Sequence, residues 1–112
     1  MQLITRISAT ELASRLLHQQ KSRFKPWRPG EAFALLYSPS FTNPDGTTVA
    51  GFRPGYTVGS IPPNGLGDHW ALARLPDGLE FLFMPKFKPD GREVSVDLAS
   101  DVMAIFSIRP FV

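Results

Sequence analysis

Three Pro-Asp-Gly tripeptides punctuate the 112-residue chain, at 44–46, 76–78 and 89–91. Proline presets φ for the first corner of a turn, aspartate bonds the backbone beyond it, and glycine accepts the positive φ that follows, so each marks a reversal of the chain. With 11 prolines and 9 glycines in all, long helices are interrupted and short strands joined by turns are favoured. The flanks of the three turns do not match one another, so they do not signal an internal repeat.

The residues between the turns set the elements. Residues 3–7 alternate as a short strand, with Leu3, Thr5 and Ile7 on one face and Ile4 and Arg6 on the other. Ser8-Ala9-Thr10-Glu11 has capping-box spacing, with the Ser8 hydroxyl accepting from the Glu11 N–H and the Glu11 carboxylate reaching back. Behind it Leu12, Leu16 and Leu17, with Ala9 and Ala13, make a helical stripe that ends near Gln20, and Glu11 stands four before Arg15 in the favourable order. Residues 23–27 read as extended, because Pro26 disfavours helix at Lys25, and Arg28-Pro29-Gly30 reads as a turn. Residues 32–37 are apolar on both faces, as a central strand is. Residues 38–56 read as irregular, with a turn at Asn43-Pro44-Asp45-Gly46, a hairpin arm at 47–52 and another turn at Arg53-Pro54-Gly55. Residues 60–67 read as loop, and 69–75 and 79–84 as the arms of a hairpin around Pro76-Asp77-Gly78. Residues 94–96 form a short strand, Asp97 or Ser100 caps a brief helix over 99–103, and 104–108 alternate into a last strand that Pro110 stops. The sum is a single α+β domain: one antiparallel-rich sheet, the amphipathic helix 9–20 packed on it, and a short second helix near Leu98.

Composition narrows the class. Hydrophobic residues are 43% and charged residues 20%, which is globular and not disordered. Nine phenylalanines are many for a domain this small, so some are expected at a groove or a subunit contact. A net charge of +2 permits an anionic partner, whereas a protein that coats nucleic acid carries a larger excess. The absence of cysteine excludes disulfides, thiol nucleophiles and thiolate metal sites. The first residues lack an apolar signal core and no apolar run approaches membrane-spanning length, which leads to the expectation of a cytoplasmic protein.

Residues 21–30 carry the sharpest chemical signal. Lys21, Arg23, Lys25 and Arg28 surround Trp27, and Pro26 and Pro29 stiffen the backbone. A flat ring among cations suits a phosphorylated, base-containing ligand: the indole stacks on the base and the cations meet phosphates. Composition alone favours the plainer alternative, a solvated basic hairpin end with Trp27 tucked into the core. Lys86, Lys88 and Arg92 form a second basic cluster, interleaved with Phe87, which is either a phosphate clamp or a solvated loop. Trp70 is read as a core residue or the lip of a pocket, and Arg53 and Arg109 as element-end arginines that either reach a ligand or cover apolar surface.

Catalytic patterns are weaker. Ser60, Asp68 and His69 contain the atoms of a nucleophile, an acid and a base, but neighbouring strand residues point to opposite faces, so Asp68 is badly placed to orient His69. His18 falls on the polar side of the helix, and two distant histidines make no metal site. Gly65-Leu66-Gly67 precedes a strand and lacks the helix N-terminus that cradles phosphate.

Two sets of residues also stand in a known order. Glu11, Leu16, Arg23, Trp27 and Gly30 precede the apolar residues 33–37, and Asp90-Gly91, residues 94–96 and Leu98-Ala99-Ser100 precede about a dozen closing residues. In this they resemble the phage family of Thoeris anti-defence sponge proteins. Arg28-Pro29 lengthen the turn where the family usually has glycine two after the tryptophan, Ile108-Arg109 stand where it tends to close on Asp-Trp, and 38–88 do not match. The resemblance implies a compact α+β homo-oligomer that sequesters a cyclic ADP-ribose-type immune signal without degrading it, with Trp27 facing the ligand.

The expected function is therefore non-catalytic capture of a cyclic or otherwise phosphorylated nucleotide, without cofactor or metal. Trp27 would stack on the base, Arg23, Lys25 and Arg28 would meet phosphates, and Lys86, Lys88 or Arg92 would arrive from the same or a neighbouring subunit. Two other readings stay open: a protein–protein inhibitor that docks through Phe41, Phe52 and Tyr56, and a small single-stranded nucleic-acid binder. An enzyme is the least supported class.

Overall fold

The structure, a computed structural model, describes residues 1–39, 42–49, 53–62, 64–88, 90–100 and 104–111. Eight strands form one sheet: β1 (Gln2–Ile4), β2 (Ile7–Ala9), β3 (Ala32–Ser38), β4 (Gly55–Ile61), β5 (Ala71–Arg74), β6 (Glu80–Phe83), β7 (Val94–Ser100) and β8 (Ile105–Pro110). Their order across the sheet is β1-β5-β6-β3-β4-β8-β7-β2. The two outermost strands are consecutive in the chain, with only Thr5 and Arg6 between them. So short a link cannot cross an open eight-stranded sheet, where neighbouring strands lie about 4.8 Å apart. The sheet therefore curls until its edges meet, as a nearly closed barrel. Arg6 holds the junction: its carbonyl accepts from the Val94 N–H at 2.8 Å and its guanidinium donates to the Gly91 carbonyl at 2.6 Å.

Strand alternation fills the interior. Phe33 and Leu35 of β3, Phe81 and Phe83 of β6, Val94 and Val96 of β7, and Phe106 and Ile108 of β8 belong to one buried cluster with Ile4 and Ile7. On β5 the small residues Ala71 and Ala73 stand opposite Phe83 and Phe81, so large rings find room beside missing side chains. That pairing of small with large suits a narrow barrel. Ala34, Leu82 and Ile105 are buried as well but lie outside this cluster, which bears out the two-faced apolar reading of residues 32–37.

One helix completes the core. α1 (Glu11–Arg23) is capped by Thr10, whose hydroxyl oxygen accepts from the Ala13 N–H at 3.3 Å. Thr10 also donates its N–H to Val96 on β7, while His18 and Lys21 reach Asp77 and the Glu80 carbonyl at the β5–β6 hairpin. The helix thus spans the seam where β1 passes into β2, and its Ala13 and Leu17, both at 0% exposure, join the barrel's own cluster. Full burial of a leucine side chain stabilises by roughly 1.5–3 kcal/mol.

Several sequence expectations are corrected. The architecture is not an α+β sheet with a helix on its face: the sheet closes on itself and supplies its own second layer. Its pairing is mixed: β3–β4, β4–β8, β5–β6 and β7–β8 are antiparallel, as the antiparallel-rich reading expects, while β1–β5, β2–β7 and β3–β6 are parallel. The second helix near Leu98 is absent: residues 98–100 continue β7, which pairs Leu98 with Phe106, while 101–103 lie outside the described residues. Residues 3–7 do not alternate as one strand, since Ile4 and Ile7 are both buried on either side of the Thr5-Arg6 break. Ser8 lies in β2, and the cap moves to Thr10.

The strand β4 was not expected in a segment read as turn and loop. Its glycines are there for contact. A Cβ on Gly55 would stand 2.5 Å from an Ile105 methyl and 2.8 Å from the Phe106 carbonyl oxygen, closer than real side chains approach. The hairpin at 76–78, by contrast, forms as read, with the Leu75 N–H donating to the Leu79 carbonyl at 2.9 Å.

Candidate functional site

Residues 24–30 leave α1 and enter β3. Phe24 is the C-cap, extended at φ −66° and ψ 130°, and its ring meets Phe33 edge-on at 5.4 Å. It packs, partly buried, against the core at this end of the barrel. Beyond Pro26 the chain bends, and the Glu31 N–H donates to the Arg28 carbonyl at 3.2 Å across Pro29-Gly30, where Gly30 has φ +87°. Glu31 in turn accepts from the Ser60 hydroxyl at 2.6 Å. The segment is pinned at both ends and stands out between them.

Trp27 is 91% exposed. That overturns the reading in which the indole is tucked into the core, and at this exposure almost nothing of the chain lies against either ring face. Arg23, Lys25 and Arg28 are exposed beside it, and none of the three forms an ion pair among the described residues. Lys21 behaves differently. Its ammonium donates to the Glu80 carbonyl at 2.5 Å and stands 5.8 Å over the Phe33 ring, so it serves the helix–hairpin contact.

The second basic cluster is elsewhere. β3 and β6 run in parallel with Leu35 beside Phe83; residues 24–30 lead into the start of β3, whereas Lys86 follows the end of β6. A seven-residue strand separates those ends by roughly 20 Å. Within one chain, Lys86, Lys88 and Arg92 therefore do not meet Trp27. They are also more engaged. Lys86 lies 5.0 Å over the Tyr37 ring and donates its N–H to the Tyr56 hydroxyl at 3.2 Å; Arg92 donates to the Lys88 carbonyl at 3.0 Å and stands 3.9 Å from Asp90. Lys88 shares a depression of about 300 Å³ with His69 and Asp68. The buried Tyr56 phenol donates to the Met84 carbonyl at 3.3 Å, and burial pushes its pKa up to about 12 against the opposing pull of the Lys86 N–H.

No catalytic set assembles from the residues the sequence offered. Ser60 sits opposite Phe33 on β4, three strands from β5, a separation of roughly 14 Å from the strand that His69 precedes. His18 forms a 2.6 Å contact with Asp77, whose carboxyl is held below its usual range first by that bond and then by the Leu79 N–H. Among the described residues no three His, Cys, Asp or Glu side chains gather as a metal site. Trp70 is half-buried where the chain enters β5. Of the aromatics offered for protein docking, Tyr56 is 2% exposed and does not serve, while Phe41 and Phe52 lie outside the described residues. Arg53 and Arg109 share one cleft beside β7 and β8, a convergence for which the only sequence signal was the proline following each.

No known protein family, curated protein or solved structure matches the chain. Among the described residues no helix is long and apolar enough to cross a membrane.

Proposed function

We propose that this chain is a non-catalytic binding protein that takes up a cyclic or otherwise phosphorylated nucleotide, of ADP-ribose type, at residues 23–30. Trp27 stacks on the base, and Arg23, Lys25 and Arg28 meet the phosphates. The observation that carries this reading is the 91% exposure of Trp27 between cations that no carboxylate of the described chain neutralises. An exposed indole offers a base roughly 1–3 kcal/mol of stacking, and guanidinium groups meet phosphate with two parallel hydrogen bonds.

An indole open on both faces grips a small ligand from one side only. Tight capture calls for a second wall, and a second copy of the chain is the simplest one, in keeping with the homo-oligomer that the resemblance to the sponge proteins implies. Lys86, Lys88 and Arg92 then reach the ligand only from that neighbouring copy. Binding without cleavage needs no proton transfer, so capture calls for no acid–base pair at residues 23–30.

The test is a thermal-shift screen of the protein against cyclic ADP-ribose, ADP-ribose and cyclic nucleotides, repeated with Trp27→Ala. The expected result is a shift in the wild type that disappears in a Trp27→Ala protein of unchanged fold, with the ligand released intact on heating. A shift that persists in Trp27→Ala moves the site elsewhere, and recovery of a cleaved product makes the protein an enzyme. Steeply salt-dependent binding of oligonucleotides would favour the single-stranded nucleic-acid reading instead.

A further inference from the structure

The outer face of β7 and β8 carries a two-lobed depression that the proposed function does not use. One lobe, about 410 Å³, is lined by Arg53, Asp97, Ser107 and Arg109 among others; the second, about 400 Å³, by Thr10, Ser95, Asp97, Arg109 and Phe111. Each is within the usual range of a small-molecule pocket. The strand register explains the polar lining. Ser95 stands opposite Arg109 and Asp97 opposite Ser107, and alternation sends all four outward while Val94, Val96 and Ile108 point into the core.

Asp97 and Arg109 are diagonal neighbours of opposite charge, yet they form no ion pair. The Asp97 carboxylate is turned toward the helix cap, where Oδ1 accepts from the Leu98 N–H at 2.7 Å and the Thr10 hydroxyl at 3.1 Å. Neither Arg109 nor Arg53 has a carboxylate partner among the described residues. Two guanidinium groups converging on one cleft make a seat for a multivalent anion, with forked donors that match phosphate. At the far edge the Phe111 ring is 66% exposed, a flat apolar surface next to the cationic one.

We infer that this depression is a ligand site separate from residues 23–30, and that it takes a small nucleoside phosphate. The phosphate lies between Arg53 and Arg109, the sugar hydroxyls face Asp97 and Ser95, and the base rests on Phe111. No group transfer is involved, because the lining holds no paired acid and base.

Isothermal titration at low salt with AMP, inorganic pyrophosphate and adenosine tests this. The wild type is expected to bind AMP and pyrophosphate, and adenosine at least tenfold more weakly than AMP. Arg109→Gln and Arg53→Gln should each weaken AMP and pyrophosphate tenfold or more, with Arg109→Lys in between. Phe111→Ala should weaken AMP alone, and Trp27→Ala should change neither. Arg53, Arg109 and Phe111 are all exposed, and circular dichroism of each variant confirms that the fold is retained. Absence of AMP and pyrophosphate binding in the wild type overturns the inference, as does AMP binding that survives both glutamine variants. AMP binding lost in Trp27→Ala but kept in Arg109→Gln sinks this site and leaves the loop reading standing; the reverse pattern supports this site and leaves the loop to its own test with cyclic ADP-ribose.

Discussion

At one end of the barrel Arg23, Lys25 and Arg28 stand clear of any carboxylate of the described chain, while at the other Lys86 lies over Tyr37 and Arg92 is held by the Lys88 carbonyl and Asp90. The two segments are built from the same residue types. They differ in what the backbone does beneath them. Around Asp90-Gly91, with φ of 30° and 78°, the chain curls back and absorbs its own cation, and the buried Tyr56 hydroxyl fixes the Lys86 N–H. Residues 28–31 also turn, closed by the Glu31 N–H and the Arg28 carbonyl, but among the described residues Arg23, Lys25 and Arg28 form no ion pair, and Phe24 already packs against the core. Cations and aromatics become available to a ligand when the local chain has no shape in which to use them.

If that contrast is right, the Tyr56 end should be stability-critical and the Trp27 end should not. The largest effect is expected in alkali. The folded Tyr56 phenol holds its proton up to about 12, above the value near 10 of an unfolded chain. Its stabilisation is therefore complete below pH ~10 and is lost as pH rises toward 12, by about 2–3 kcal/mol in all. Denaturant midpoints measured across that window should fall steeply in the wild type and stay flatter in Tyr56→Phe. At neutral pH, Tyr56→Phe should cost about 1–2 kcal/mol and speed amide exchange at Lys86, since that N–H loses its acceptor.

Smaller is the tie between α1 and the hairpin just ahead of the Trp27 segment. The Asp77 carboxyl is depressed by His18 and the Leu79 N–H, so its contribution is present above the ordinary carboxylate pKa near 4 and disappears as pH falls through the lower folded value. Asp77→Asn should lower stability by under about 1 kcal/mol, because the pair is exposed, and should soften the acid limb of a pH–stability curve. Smallest of all, replacing Arg23, Lys25 and Arg28 together by Gln should move stability by no more than about 0.5 kcal/mol. A loss well beyond that in a urea melt would mean these cations serve the fold, and the contrast between the two ends would vanish.

Much of this was legible from local chemistry. Pro76-Asp77-Gly78 announced its hairpin, residues 32–37 announced a central strand, and the leucine stripe announced α1 even though its cap moved from Ser8 to Thr10. β4 was not legible, because Gly55, Gly59 and Ser60 are poor strand formers. It exists through tertiary packing, with Gly55 against Ile105 and the Phe106 carbonyl and Gly59 beneath Leu36. Residues 97–100 carry a capping aspartate followed by Leu and Ala, good helix formers, yet pairing of Val96 and Leu98 with Ile108 and Phe106 wins. Barrel closure was invisible because it rests on Leu3 finding Leu72 and Ser8 finding Ser95, and no local pattern encodes partners so distant. At the candidate site the charges could be counted from sequence, but the outward indole could not be read from them.

The break at Thr5-Arg6 lets eight residues serve both margins of the sheet, and it sets a timetable. Made before their partners, residues 2–9 must wait for Ala71–Arg74 and then for Val94–Ser100 before both halves are paired. Until then β5 and β7 offer bare edges to any strand nearby, and the nearest matching one in a crowded cell belongs to a sister molecule. Exchange of amino-terminal arms between copies is the misassembly this topology invites, and a dimer built that way would keep every native pairing while trading ownership of a single arm.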